Sequence, residues 1–134
     1  MLPGLIFHHI GVVTDSISNT KKYYIEAGYE ASEVIFDPLQ QVNICFISKL
    51  GFPCIELVEP ISGNSPVANI LNKAGVSPYH FCYEISDIYN GISKLKNKKF
   101  IPLFKPLPAI ALGNRLICFL YNKEIGLIEL LQTE

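Results

Sequence analysis

Ile44-Cys45-Phe46-Ile47 and, eight residues on, Ile55-Glu56-Leu57-Val58 decide the fold of this chain, because both occur twice. They return as Ile117-Cys118-Phe119-Leu120 and Ile128-Glu129-Leu130-Leu131, each shifted by 73 residues. Upstream, Phe7-His8-His9-Ile10 is answered by Tyr79-His80-Phe81 at a shift of 71 residues, and the two-residue difference reads as a loop insertion. Self-similarity at a fixed spacing marks a duplicated supersecondary unit, so the elements are read in pairs.

Each half reads strand, helix, strand, strand, strand. This gives a single α+β domain over residues 1–134, built of two tandem βαβββ modules at about 5–60 and 78–133. In the first module Phe7–Val13 is a strand, and Asp15 or Ser16 caps a helix to about Ala27, stopped by Gly28 and buried along Ile17, Tyr24 and Ala27. Strands follow over Glu30–Phe36, Gln41–Ser48 and Pro53–Val58, rich in β-branched and aromatic residues and parted by turn signals. In the second module the strands are Tyr79–Ile85, Ile101–Phe104, Arg115–Tyr121 and Leu127–Leu131, and Asp87 caps a helix to about Lys98. Between the modules Ser65-Pro66 opens, and Gly75 closes, a linker helix over about 66–74 with Val67, Ile70, Leu71 and Ala74 on one stripe. Pro102, Pro106 and Pro108 leave few ladder donors before Gly113, so that stretch is expected as a loop beside the sheet and a candidate lid.

The repeat also lines up chemistry: His9 falls over His80, and Glu56 over Glu129. Residues of equal parity share a strand face, so each glutamate points opposite to its flanking Ile and Leu. A carboxylate in the middle of Cys-Ile-Glu-Leu-Val, or of Leu-Ile-Glu-Leu-Leu, is costly to bury without a compensating charge, which a divalent cation supplies. Singly, each of these residues reads as a solvent-facing acid or a structural histidine; recurring in register, His9, Glu56, His80 and Glu129 read as the ligands of one metal. Two imidazoles and two carboxylates without thiolate suit Zn, Ni, Co, Mn or Fe, with water completing the coordination. Glu84 shares a face with His80 and either stands behind the ligands or forms an ion pair. Arg115, the one arginine, is the candidate for a substrate carboxylate or phosphate.

Composition excludes several classes. The 134 residues are 49% hydrophobic and 17% charged, which is a folding composition. A net charge of -1 with a single arginine argues against a nucleic-acid partner, and Lys94, Lys96, Lys98 and Lys99 read as complementing a helix dipole. No apolar run reaches the roughly 20 residues of a membrane span, and Met1–Phe7 is too short and uncharged for a signal peptide, so a cytoplasmic protein is expected. Cys45, Cys54, Cys82 and Cys118 lie inside apolar runs without C-x-x-C spacing and are expected as buried, reduced thiols.

The motifs His8-His9-Ile10-Gly11-Val12-Val13, Ile55-Glu56-Leu57-Val58-Glu59-Pro60, the run Tyr79-His80-Phe81-Cys82-Tyr83-Glu84-Ile85 and Gly126-Leu127-Ile128-Glu129-Leu130 resemble the vicinal oxygen chelate superfamily, which includes glyoxalase I, methylmalonyl-CoA epimerase, extradiol dioxygenases and bleomycin resistance proteins. The resemblance implies an open, cup-shaped mixed sheet around one metal, a homodimer, and His9 rather than His8 as the ligand. Glu-Leu-Val-Glu-Pro is close to the epimerase wording, whereas Pro60 and Val13 stand where glyoxalase I carries glutathione-binding Asn and Arg. Glu56, however, occupies a position that is often Gln in the epimerase, and the epimerase's second acid before the strand near Gln41 is replaced by Asp37-Pro38-Leu39-Gln40-Gln41. The implied chemistry is proton movement beside a thioester or ketone through an enolate stabilised by the metal, with Glu129 the primary base and Glu56 the second. The implied substrate is an acyl-CoA, with lactoylglutathione lyase activity on a thiol adduct as the alternative. A sequestering resistance-type protein and an extradiol dioxygenase rank behind both.

Overall fold

Strand β1 (Ile6–Val13) hands over to helix α1 (Ile17–Glu26) at Ser16, whose hydroxyl accepts the Asn19 N–H at 3.1 Å. The computed structural model describes all 134 residues, and the chain divides into two compact units, His9–Tyr79 and a second made of Met1–His8 with His80–Glu134.

In the unit His9–Tyr79, the strands after α1 are β2 (Glu30–Ala31), β3 (Ile35–Asp37), β4 (Val42–Ser48) and β5 (Cys54–Pro60). β1 pairs with β5 in parallel, and β5, β2 and β3 all pair with β4 antiparallel. Parity works as the sequence predicts: Val12, Cys45, Ile47 and Leu57 turn to the face that α1 covers with Ile17 and Tyr24. Glu59, which the sequence places on that same helix side, accepts the Ile17 N–H at 2.9 Å and the Asn43 side-chain amide at 3.0 Å, so it caps α1 from the sheet. Helix α2 (Pro66–Ala74) follows, with Ser65 capping it, Pro66 in its first turn and Gly75 ending it at φ 73°, a left-handed value that suits glycine.

The second unit repeats the plan with β6 (Ser77–Ile85), α3 (Ile88–Lys96), β7 (Ile101–Pro102), β8 (Leu107–Ala109), β9 (Arg115–Asn122) and β10 (Gly126–Gln132). β10 pairs with β6 in parallel and with β9 antiparallel, while β7 and β8 both pair with β9. α3 packs Ile88 and Leu95 onto Cys118, Leu120, Ile128 and Leu130. Gln132, the repeat partner of Glu59, accepts the Ile88 N–H at 2.8 Å, and its amide also donates to the Ser86 carbonyl. The cap from the last strand has thus been kept in both copies with different chemistry.

Two expectations are corrected. Glu30–Phe36 is not one strand: the Ser32 hydroxyl takes the Phe46 N–H at 2.9 Å in place of a ladder bond, and the chain breaks into β2 and β3. The proline-rich stretch Pro102–Gly113 is not a free lid. β8 pairs Leu107 with Ile117 and Ala109 with Arg115, a short 3-10 turn covers Ile110–Leu112, and Ala109 is buried. Pro108 lies exposed in this short outer strand, a position where a residue without an N–H is tolerated. The strand expected over Ile101–Phe104 accordingly shrinks to Ile101–Pro102.

All four cysteines are free thiols. Two carry the repeat into the side chains, Cys45 donating to the Ser32 carbonyl at 3.3 Å and Cys118 to the Phe104 carbonyl at 3.1 Å, each holding the point where an outer strand breaks. No helix is long and apolar enough to cross a membrane.

Candidate metal centre

In the unit His9–Tyr79, β1 and β5 set the spacing of the first pair. Glu56 is the register partner of Gly11, two residues along β1 from His9, so the two side chains lie on one face. His9 Nε2 stands 3.4 Å from Glu56 Oε1, with both residues buried. Phe46 is the cross-strand partner of Glu56 on β4, and its ring meets the His9 imidazole edge-on at 5.8 Å between centroids. Cys54, opposite His9 on the same face, has its thiol pKa raised by burial and, further, by the Glu56 charge.

The second unit builds the same arrangement. Glu129 is the partner of Cys82, two residues along β6 from His80, and His80 Nε2 lies 3.1 Å from Glu129 Oε1. Phe119 faces Glu129 across β9 and packs edge-on against His80 at 5.0 Å. Sequence reasoning quoted Phe46 and Phe119 as repeat markers without giving them a role. Their cross-strand positions opposite the two glutamates are the signal that identifies them as the rings that hold the imidazoles.

The buried carboxylates are three, and the third shows what an ordinary structural one looks like. Asp37, 1% exposed, accepts the backbone N–H groups of Leu39 and Gln40 and the Gln40 side-chain amide, so it organises the β3–β4 turn. Glu56 and Glu129 instead face an imidazole. Burying a carboxylate costs several kcal/mol unless an opposite charge compensates it. Two donors bound to one ion at about 2.1 Å stand about 3 Å apart, so each imidazole–carboxylate pair has the spacing of neighbouring ligands on a divalent metal. The donor set of each pair therefore fits a divalent metal.

The remaining candidates lie elsewhere in the second unit. Arg115 Nη1 pairs with Glu84 Oε2 at 3.0 Å and its Nε donates to the Leu112 carbonyl at 3.2 Å. Glu84 is thus in the ion pair that the sequence allowed for it, and Arg115 braces the turn after β8.

A family model described as Glyoxalase/Bleomycin resistance protein/Dioxygenase superfamily matches residues 8–119. The mitochondrial methylmalonyl-CoA epimerase of Mus musculus is 32% identical over 131 residues, covering 94% of this chain and 72% of the relative. An ethylmalonyl-CoA/methylmalonyl-CoA epimerase of Cereibacter sphaeroides is 30% identical, covering 97% of this chain and 98% of the relative. The crystal structure of a methylmalonyl-CoA epimerase from Mycobacterium tuberculosis superposes with a TM-score of 0.85 over 100% of this chain and 93% of its own, a likeness of fold at 19% identity. These likenesses favour the epimerase reading over lactoylglutathione lyase.

Proposed function

The chain belongs to the glyoxalase/bleomycin resistance/dioxygenase superfamily as an epimerase-like enzyme, and we propose that it inverts the α-carbon of a short branched acyl-CoA such as methylmalonyl-CoA, with His9, Glu56, His80 and Glu129 holding one divalent ion. The observation that carries this reading is the duplicated buried pair, His9 with Glu56 and His80 with Glu129, kept in register with the same phenylalanine support. A bound divalent ion supplies a Lewis acid that makes the proton next to the thioester carbonyl removable near neutral pH.

Inversion needs one base on each face of the carbon. Glu129 takes the proton from one face, and Glu56 delivers a proton to the other. Asp37, the nearest carboxylate to the epimerase's second acid, has both oxygens engaged by the turn it organises, which supports Glu56 in that role. His9 and His80 orient the carboxylates, each held by its phenylalanine ring. The family resemblance also implies a homodimer, which sedimentation reads as about twice the 15.0 kDa chain mass.

The test is the metal-loaded protein supplied with one enantiomer of methylmalonyl-CoA and, separately, with the methylglyoxal–glutathione hemithioacetal. Racemisation of the thioester that stops on chelation is expected. Lactoylglutathione formation without racemisation overturns the proposal.

A further inference from the structure

At the outer edge of the second unit, β7 ends at Pro102 and β8 does not begin until Leu107, so the four residues between them interrupt the edge pairing with β9. Here a cavity of about 640 Å³ opens between α3 and this segment, lined by Tyr89, Ile92 and Lys96 from the helix and by Phe104 and Lys105 from the segment. That volume falls within the range of small-molecule sites. Pro102 and Pro106 bound it and stiffen the backbone of that segment.

The lining combines two kinds of recognition. Tyr89 leaves 62% of its surface exposed and offers an aromatic face, while Lys96 and Lys105, both exposed, supply positive charge from opposite sides of the groove. The charge is part of a wider asymmetry. Residues 88–123 hold six of the ten lysines and the one arginine without a single Asp or Glu, in a chain whose net charge is -1. A ligand that carries both an aromatic ring and phosphates fits this lining.

Phe104 connects the groove to the pair described above. Its ring lies 5.9 Å from Phe119, and Phe119 lies 5.0 Å from His80. Two ring contacts therefore separate the groove from the His80 imidazole, and the pantetheine arm of coenzyme A is longer than that.

We infer that the groove between α3 and residues 102–106 holds the phosphorylated adenosine end of an acyl-CoA, with Lys96 and Lys105 on the phosphates and Tyr89 against the adenine. This rests on the acyl-CoA reading, and it assigns the substrate's recognition handle to residues remote from the proton transfer.

The test measures binding of free coenzyme A, 3′-dephospho-CoA and pantetheine to the full chain by equilibrium dialysis. Lys96→Glu with Lys105→Glu is expected to weaken coenzyme A at least tenfold. The equally charge-changing Lys21→Glu with Lys22→Glu, in the other unit, stays within twofold. Pantetheine binding is expected to be the same in all three proteins, and added salt is expected to erode the wild-type advantage for coenzyme A. Coenzyme A bound equally by the Lys96/Lys105 variant and the wild type, or weakened as much by the Lys21/Lys22 variant, overturns the inference. Deuterium exchange on methylmalonyl-pantetheine, which lacks the nucleotide, keeps the two readings apart. Exchange there with no Lys96/Lys105 effect on coenzyme A refutes the groove alone. A lysine effect on coenzyme A binding with no exchange on either thioester refutes the epimerase reading alone.

Discussion

Glu56 and Asp37 are both buried carboxylates of one unit, and their surroundings separate their roles. Asp37 is surrounded by turn donors, whereas Glu56 faces His9. Replacing Glu56 with Gln keeps an oxygen donor but removes the base, so turnover is expected to fall by about 10²–10⁴-fold while bound metal, counted by atomic emission, stays near wild type. Unchanged turnover in this variant removes Glu56 from the proton path. At Cys118, burial pushes the thiol up to about 11, although a backbone hydrogen bond with Phe104 pulls the other way. Because the folded value is raised, the contribution of this thiol is fully present below the unfolded value of about 8.5 and is lost as pH rises through about 11. The wild-type unfolding midpoint is therefore expected to lose ground to Cys118→Ala across that window, and a constant gap contradicts this.

Capping from the last strand is the device that both copies share at the element scale. Glu59 and Gln132 each take the first helical N–H of the preceding helix. Truncating either to Ala is expected to cost about 1–2 kcal/mol in urea unfolding, and a loss below about 0.3 kcal/mol contradicts the cap. This device was invisible in the sequence, since Glu and Gln near a strand end carry no capping signature for a helix some 42 or 44 residues upstream. Other elements were legible for local reasons: Ser65-Pro66 and Gly75 bound α2, and parity sorted the helix-facing residues of β5. The outer strands were not, because the side chains of Ser32, Cys45 and Cys118 satisfy backbone groups there and let short strands stop and restart. β8 was misread from the prolines around it and from Pro108 within it, which edge pairing tolerates.

For the whole molecule, duplication made the site readable: a shift of 73 residues between the glutamates is a property of the string alone. The supporting phenylalanines and the groove beside α3 depend on cross-strand register and on where β7 ends, which composition and spacing do not encode. If each pair binds the same ion, metal couples to the folding of both units. Saturating divalent ion at about a hundred times its dissociation constant is expected to add about 2.7 kcal/mol to unfolding stability, with the increment lost equally in His9→Ala and His80→Ala. An increment that survives in one of them refutes a shared ion.

The most direct measurement is mass-spectrometric detection of deuterium at the α-carbon of methylmalonyl-CoA incubated with the metal-loaded protein in heavy water. Incorporation of one deuterium into both enantiomers, abolished by chelation and restored by metal, is the predicted result. A thioester that keeps its α-proton while the protein carries its full complement of metal contradicts the account.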